Sequence, residues 1–428
     1  MYKTLKQFLV FFLINSLFVF SFSQNETNNP YSGFGLGSVT PRANVSLNAM
    51  GGVGYALQNP YYINFKNPAS YAAFDSLSFI ADLSFGVVNQ QLKTNSESQE
   101  GTFAQLGYLT IGVPVMEFWR MSAGIIPFSD VGYRVTDTTY AEHFGKVDRR
   151  FTGTGGVHLL YWGNAFKVCK GLTVGANLSY LFGTINTTNF VEFELPNTFN
   201  TKISNFRYLD GIHFSGGIQY NTTIKENHQF GFGVVYENTL KVWSRENLLI
   251  LNYLGKYQPF TGVDTVLARM GKDAVKSSAR LPQTVGGGIT YGYKDKIIAA
   301  VDVTWQNWKK FSMSNCNDSL KNNFITEVGI QFVPNSTSTK YYNKMNFRLG
   351  SRFSTGYLYI KEHLISEFAL SAGLGFPLKT FNSRSSINIM FEYSRLGTMK
   401  DDLILQNCYK LSFNFILQER WYQRRKID

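Results

Sequence analysis

The sequence predicts an all-β fold: a transmembrane antiparallel β-barrel of about 14 strands with an amino-terminal hatch in its lumen. Three observations carry that expectation. The chain opens with an export signal, its mature part is built of segments that alternate apolar and polar residues, and the short and long connections between those segments fall on opposite ends.

The export signal comes first. "MYKTLKQFLVFFLINSLFVFSFSQ" has a basic start at Lys3 and Lys6, an apolar run from Phe8 to Phe22 and small residues at Ser21 and Ser23. The run is short for a bilayer span and suited to cleavage after Ser23, so residues 1–23 read as a secretory signal peptide. No cysteine follows the cleavage site, which argues against a lipoprotein.

Residues 24–76 follow as the expected hatch. Their centre, "NAMGGVGYALQNPYYINFKNPAS" from Asn48 to Ser70, has little periodicity and is rich in residues that tolerate tight backbone geometry. Its "GGVG" lacks the Lys-Ser/Thr of a P-loop and is not set in a strand-to-helix unit, so a phosphate cradle is disfavoured. Gly51, Gly52, Gly54, Asn67, Pro68 and Ala69 are the residues on which a compact plug would depend.

The barrel is expected over residues 77–417. "LSFIADLSFGV" from Leu77 alternates strictly, and "LTVGANLSYLF", "FGFGVVY", "IIAAVDVTW", "FALSAGLGF", "SINIMFEY" and "YKLSFNFIL" repeat the pattern. Strands are expected near 77–88, 102–113, 120–134, 151–167, 172–184, 209–221, 229–241, 284–293, 297–309, 324–333, 345–357, 365–376, 386–395 and 404–417. With the amino terminus in the periplasm, the short joints at Pro114–Trp119, Cys169–Gly171, Ile224–His228 and Lys294–Lys296 are periplasmic. The long connections near 184–208 and 242–283 then fall outside, the second carrying an apolar run from Asn247 to Phe260. Residues 418–428 form a basic, aromatic periplasmic tail, in which Trp421, Tyr422, Arg424, Arg425 and Lys426 could dock a partner.

Composition agrees with an outer-membrane location in a Gram-negative bacterium. Charged residues are 16% and aromatic residues 16% of the chain, and removing Lys3 and Lys6 lowers the net charge only from +12 to +10. Outer-membrane lipid is an expected partner and nucleic acid is not. Cys169, Cys316 and Cys408 have no metal-ligand spacing, so no metal and no cofactor are expected.

Strand parity points Asp82, Asp302, Glu327, Glu392, Arg348, Arg352 and Lys410 inward, where they either form ion pairs or, through Arg348 or Arg352, accept a ligand carboxylate. Arg42 in the hatch is a weaker candidate for that role. Of the five histidines, His158 and His213 are expected inside, with Asn177 and Ser179 on the strand between. Barrel hydrolases often display their residues outside, so the chain is not expected to be an enzyme.

The order "AMGGVGYAL", "NPAS", then a strand resembles the amino-terminal hatch of the FadL-type outer-membrane transporters for long-chain fatty acids and other hydrophobic compounds. "AGIIPFSDVGY", "LPQTVGGGITY" and "AVDVTWQNWKKF" resemble that family's strands in the same order. The resemblance implies passive uptake of hydrophobic small molecules, with a greasy outer groove lined here by Leu248, Leu249, Leu251 and Tyr253. One departure is the tail "QERWYQRRKID" beyond the last strand, which favours a second expectation: a non-catalytic accessory barrel of an outer-membrane protein assembly or secretion complex.

Overall fold

A computed structural model describes residues 27–76, 78–143, 145–195, 197–255, 257, 263–294, 296–313, 319–379 and 384–420. The expected signal peptide and the tail residues Trp421, Tyr422, Arg424, Arg425 and Lys426 lie outside them, as does Cys316. The chain enters through the turn Pro30–Gly33, a two-residue strand β1 (Ser38–Val39), a helical turn Val45–Asn48 and a second turn Pro68–Ala73. The wall begins with β2 (Ser78–Lys93), β3 (Ser98–Pro114), β4 (Trp119–Ala141), β5 (Gly145–Cys169), β6 (Leu172–Phe193), β7 (Phe199–Ile224) and β8 (His228–Leu254). It continues with β9 (Val263–Arg269), β10 (Val275–Ala279), β11 (Thr284–Tyr293), β12 (Ile297–Gln306), β13 (Asn323–Phe332) and β14 (Asn346–Ser354). After a small hairpin of β15 (Tyr359–Ile360) and β16 (His363–Leu364) come β17 (Glu367–Lys379), β18 (Arg384–Leu396) and β19 (Leu405–Arg420).

Every wall strand runs antiparallel to its neighbours, and β19 pairs with β2 from Leu405↔Lys93 to Arg420↔Ser78, closing a barrel. Three pieces share one place in it. β9, β10 and β11 all pair with the same edge of β8, at 248–253, 242–246 and 228–237, so together they are one interrupted strand and the barrel has fourteen positions. The alternation expected from sequence holds: in β2 the even residues Ser78 to Gln90 are buried while Val87 faces out. Outward Leu109, Ile111, Trp162, Leu178, Ile218 and Val234 make the lipid-facing side.

Two expectations are corrected here. The long outer connections near 184–208 and 242–283 are mostly strand: β6 runs to Phe193, β7 begins at Phe199, and β8 continues through Leu254, absorbing most of the Asn247–Phe260 run. Above the bilayer neither face meets lipid, so the alternation that marks a strand fades while the backbone ladder continues. β19 likewise carries Gln418 to Arg420, three residues of the expected tail.

Residues 27–75 pack against the inward faces of the wall. Leu47, Val53, Ile63, Tyr71 and Ala72 are fully buried and share one apolar cluster with Ile80, Val157, Leu159, Leu181 and Met390 of the strands. Burial of side chains such as Leu47 and Ile63 contributes about 1.5–3 kcal/mol each.

Candidate functional site

The candidate site is the contact between this amino-terminal segment and the inner wall. Its chemistry is set by a few inward charges. Gly54 and Tyr55 donate their backbone N–H groups to one Asp302 oxygen at 2.7 and 2.9 Å. Lys66 stands 3.3 Å from that carboxylate, pairs with Glu327, and donates to the Gly52 carbonyl at 2.8 Å. Its ammonium lies 4.3 Å from the centre of the Tyr55 ring. Asp302 and Glu327 face each other across β12 and β13, so a single lysine offsets two buried carboxylates.

The residues singled out in the glycine-rich run hold this arrangement. Gly51 and Gly52 have φ of +77° and +98°, a region that favours glycine; Gly51 sits against the wall backbone and Gly52 against the Glu327 side chain. A Cβ on Gly51 would lie 2.5 Å from the Ser351 carbonyl oxygen. Gly54 is held through its N–H rather than by a special φ. Asn67 caps the turn that starts at Pro68 by accepting from the Ala69 N–H at 3.0 Å, and it donates to the Tyr55 carbonyl at 2.6 Å. The wall meets this segment with glycines of its own: Gly163, Gly175, Gly217, Gly233, Gly329 and Gly350 lie against Tyr71, Pro68, Asn67, Tyr55 and Met50. Sequence reading missed these partners. The available signal was glycine recurring at inward positions of successive strands.

The other inward charges divide. Arg42 pairs with Glu237 and lies 3.3 Å from His213, so it is committed to the wall. Arg352 is held by Glu367 at 3.1 Å and Glu392 at 3.4 Å. Arg348 is different: its guanidinium donates to the neutral amide oxygens of Gln331 and Asn388, at 2.7 and 2.8 Å, and has no carboxylate partner among the described residues. Asp82 accepts from Asn414 at 2.8 Å and from the Tyr108 hydroxyl at 3.4 Å. Lys410 is opposite Val88, six residues along β19 from the partner of Asp82, so these two charges share neighbouring strands without meeting.

His213 is inward and buried, as are Asn177 and Ser179. His158 is not. Its neighbours Val157 and Leu159 are buried instead, and its ring packs 5.9 Å from outward Phe182. β5 alternates without a break from Val157 to Ala165, and exposed Leu160 and Trp162 share His158's parity, so the strand's own period places this histidine outside. Leu251 and Tyr253 are buried and Leu248 and Leu249 half-buried, on a strand rather than in a free loop. Tyr253 donates to Glu192 at 2.8 Å, which makes this stretch a hydrogen-bonded wall.

Among the described residues the wall pairing is interrupted between β3 and β4. β3 and β4 pair only from Leu109↔Ile125 to Pro114↔Arg120, and above that point the edge of β4 is taken by β1, at Val39↔Ser129 and Ser38↔Asp130. Pro127 cannot donate to a ladder, and the register of β2 against β3 slips between Leu83 and Phe85. A cavity of about 60 Å³ fills the seam, lined by Pro41, Ala43, Val45, Phe85, Leu106, Tyr108, Ile126 and Pro127 among others. A larger one, about 190 Å³, lies toward the outer end and is lined by Gln90, Asp130, Arg352, Glu367, Glu392 and Lys410.

A closed fourteen-position barrel, with inward polar residues and an apolar outer face, defines an integral outer-membrane protein of the FadL-like fold. The chain belongs to the BamG family, which matches it over residues 1–428. Solved structures with similar folds include a FadL homologue of Pseudomonas aeruginosa (12% identity, TM-score 0.59, covering 90% of this chain and 100% of that one). The toluene transporter TodX of P. putida (13%, 0.58, 90% and 100%) and the monoaromatic hydrocarbon channel CymD (13%, 0.55, 91% and 99%) are also similar. A comparison with curated proteins found no match.

Proposed function

We propose that this barrel is a passive, cofactor-free route for small hydrophobic compounds across the outer membrane, with residues 27–75 as its hatch. The observation that carries this reading is the seam between β3 and β4, an unpaired stretch of wall whose cavity is lined by Ala43, Val45, Phe85, Ile126 and lipid-facing Leu106 alongside Arg42, Asp130 and Lys410. A hydrophobic solute could leave sideways there without crossing the packed segment below. The fold shared with hydrocarbon and toluene channels supports it.

Long-chain fatty acids are a narrower version, in which a carboxylate needs an anchor. Arg348 suits that role better than Arg352 or Arg42, because only its charge is met by neutral groups alone. On this reading Arg348→Gln weakens a fatty acid at least tenfold relative to its alcohol, measured by binding to the purified barrel. Arg352→Gln instead strands Glu392 and Glu367 and lowers heat stability. Equal losses for acid and alcohol would return Arg348 to a structural role.

A second reading, a non-catalytic accessory barrel of an outer-membrane assembly or secretion complex, is favoured by the BamG family match over the whole chain and by the locking of Arg42, Lys66 and Arg352 into ion pairs. A lumen sealed in this way suits a scaffold, and the basic tail would be its docking element.

Ile126→Trp separates the two. Ile126 lines the seam and is buried, so the larger ring fills the cavity from within. Toluene entry into liposomes carrying the barrel should fall at least tenfold in this variant. Entry at the level of empty liposomes for the unmodified protein, together with a stable heteromeric complex by native mass measurement, would sink the channel and favour the accessory subunit.

A further inference from the structure

The outward face of β8 changes character abruptly. Phe232, Val234, Tyr236 and Leu240 face out, and the stretch from Phe230 to Leu240 rises by about 25 Å when tilted, the height of the apolar band of an outer-membrane barrel. Immediately above it a bulge at Leu240, between the pairs His213↔Thr239 and Ile212↔Lys241, turns Lys241 outward as well. Trp243 and Arg245 follow on the same face. β10 lies alongside, with Lys276 directly opposite Arg245 and Ser278 opposite Trp243. Arg280, one residue past the Ala279↔Val242 pair, is exposed beside Lys241.

Two pairs of like charges therefore face each other across β8 and β10, with Trp243 between them. Directly opposed side chains stand about 4.5–5.5 Å apart at Cβ, and like charges at that spacing repel. None of the four cations makes an ion pair among the described residues. Asp210, opposite Trp243, is the acidic neighbour that the register places on this face, and it leaves a net excess of positive charge. The Lys241 ammonium lies 5.1 Å from the Trp243 ring, an aromatic–cation arrangement suited to the membrane interface. The two pairs are about 13 Å apart along the strand.

From this placement we infer that Lys241, Arg245, Lys276 and Arg280 form a binding site for the phosphate groups of a glycolipid in the outer leaflet, with one phosphate relieving each like-charge pair. Leu240 and Tyr236 contact the acyl chains beneath, and Trp243 packs against the sugar between the phosphates. The site stands on the wall's outer face and is independent of what passes through the lumen.

Native mass spectrometry of the full-length barrel in detergent tests it with three probes: bisphosphorylated lipid A, the same lipid dephosphorylated, and inorganic phosphate. The folded protein should retain bisphosphorylated lipid A, and the K241Q/R245Q/K276Q/R280Q variant should hold it at least tenfold more weakly. Dephosphorylated lipid should bind the unmodified protein at least tenfold more weakly too, a comparison that needs no variant to fold. Equal binding of the two lipids, or an unchanged affinity in the variant, would overturn the site. Inorganic phosphate binding as tightly as the lipid would overturn its assignment to a membrane glycolipid.

Discussion

Replacing Lys66 with Met is expected to free the amino-terminal segment from the wall. The substitution keeps the volume of the stem but leaves Asp302 and Glu327 opposed, buried and without their shared cation. Removing one partner of a buried charge set typically costs about 3–5 kcal/mol, because the remaining charge is neither hydrated nor paired. That cost falls on the contact between residues 51–67 and the wall rather than on the β ladders, which Lys66 does not join. Amide exchange over residues 48–67 should therefore accelerate by at least a hundredfold while exchange in β12 and β13 barely changes, and a planar bilayer should record leak currents. The triple variant K66M/D302N/E327Q removes all three charges and should recover most of the protection, since a neutral buried set escapes the penalty. Unaltered exchange in the single variant would show that the ion pairs do not hold this segment.

The second large effect is expected at Gly51. Alanine there must adopt a φ of +77°, which costs roughly 1–2 kcal/mol, and its Cβ would sit 2.5 Å from the Ser351 carbonyl oxygen and 2.8 Å from both the Ser351 nitrogen and the Val328 oxygen. Those atoms belong to the paired strands β13 and β14 and cannot retreat without breaking the ladder. Overpacking of this kind adds about 1–3 kcal/mol. Gly255→Ala is the matched control, with a φ of +68° and, among the described residues, nothing within 4 Å of the added carbon. Thermal unfolding of the two variants should differ by the packing cost alone. If both lose the same stability, the close approach of Gly51 to the wall contributes nothing beyond its backbone conformation.

Much of this was legible in the sequence because a barrel in a bilayer is written residue by residue. Lipid on one side and a polar interior on the other force a period of two, so Leu77 to Val87 announces a strand and its inward set without any partner being known. Parity alone placed Asp82, Asp302, Glu327, Arg348 and Arg352 inside. It could not say which would meet, because pairing depends on register: Glu327 is opposite Arg352 in the ladder, yet its carboxylate is taken by Lys66 from a distant part of the chain.

The sequence by itself determined the strands that cross the bilayer, their number, the end on which short turns lie and the tightness of the run around Gly51. Only the tertiary structure decided that β6, β7 and β8 rise well above the bilayer, that β9, β10 and β11 share one barrel position, and that β1 displaces β3 from the upper edge of β4. The physical reason is the range of the forces involved. Contact with lipid acts on each side chain where it stands and leaves a local pattern. Ladder pairing outside the membrane, the bulges at Pro127 and Leu240, and the sharing of Lys66 between two carboxylates depend on residues brought together only when the barrel closes.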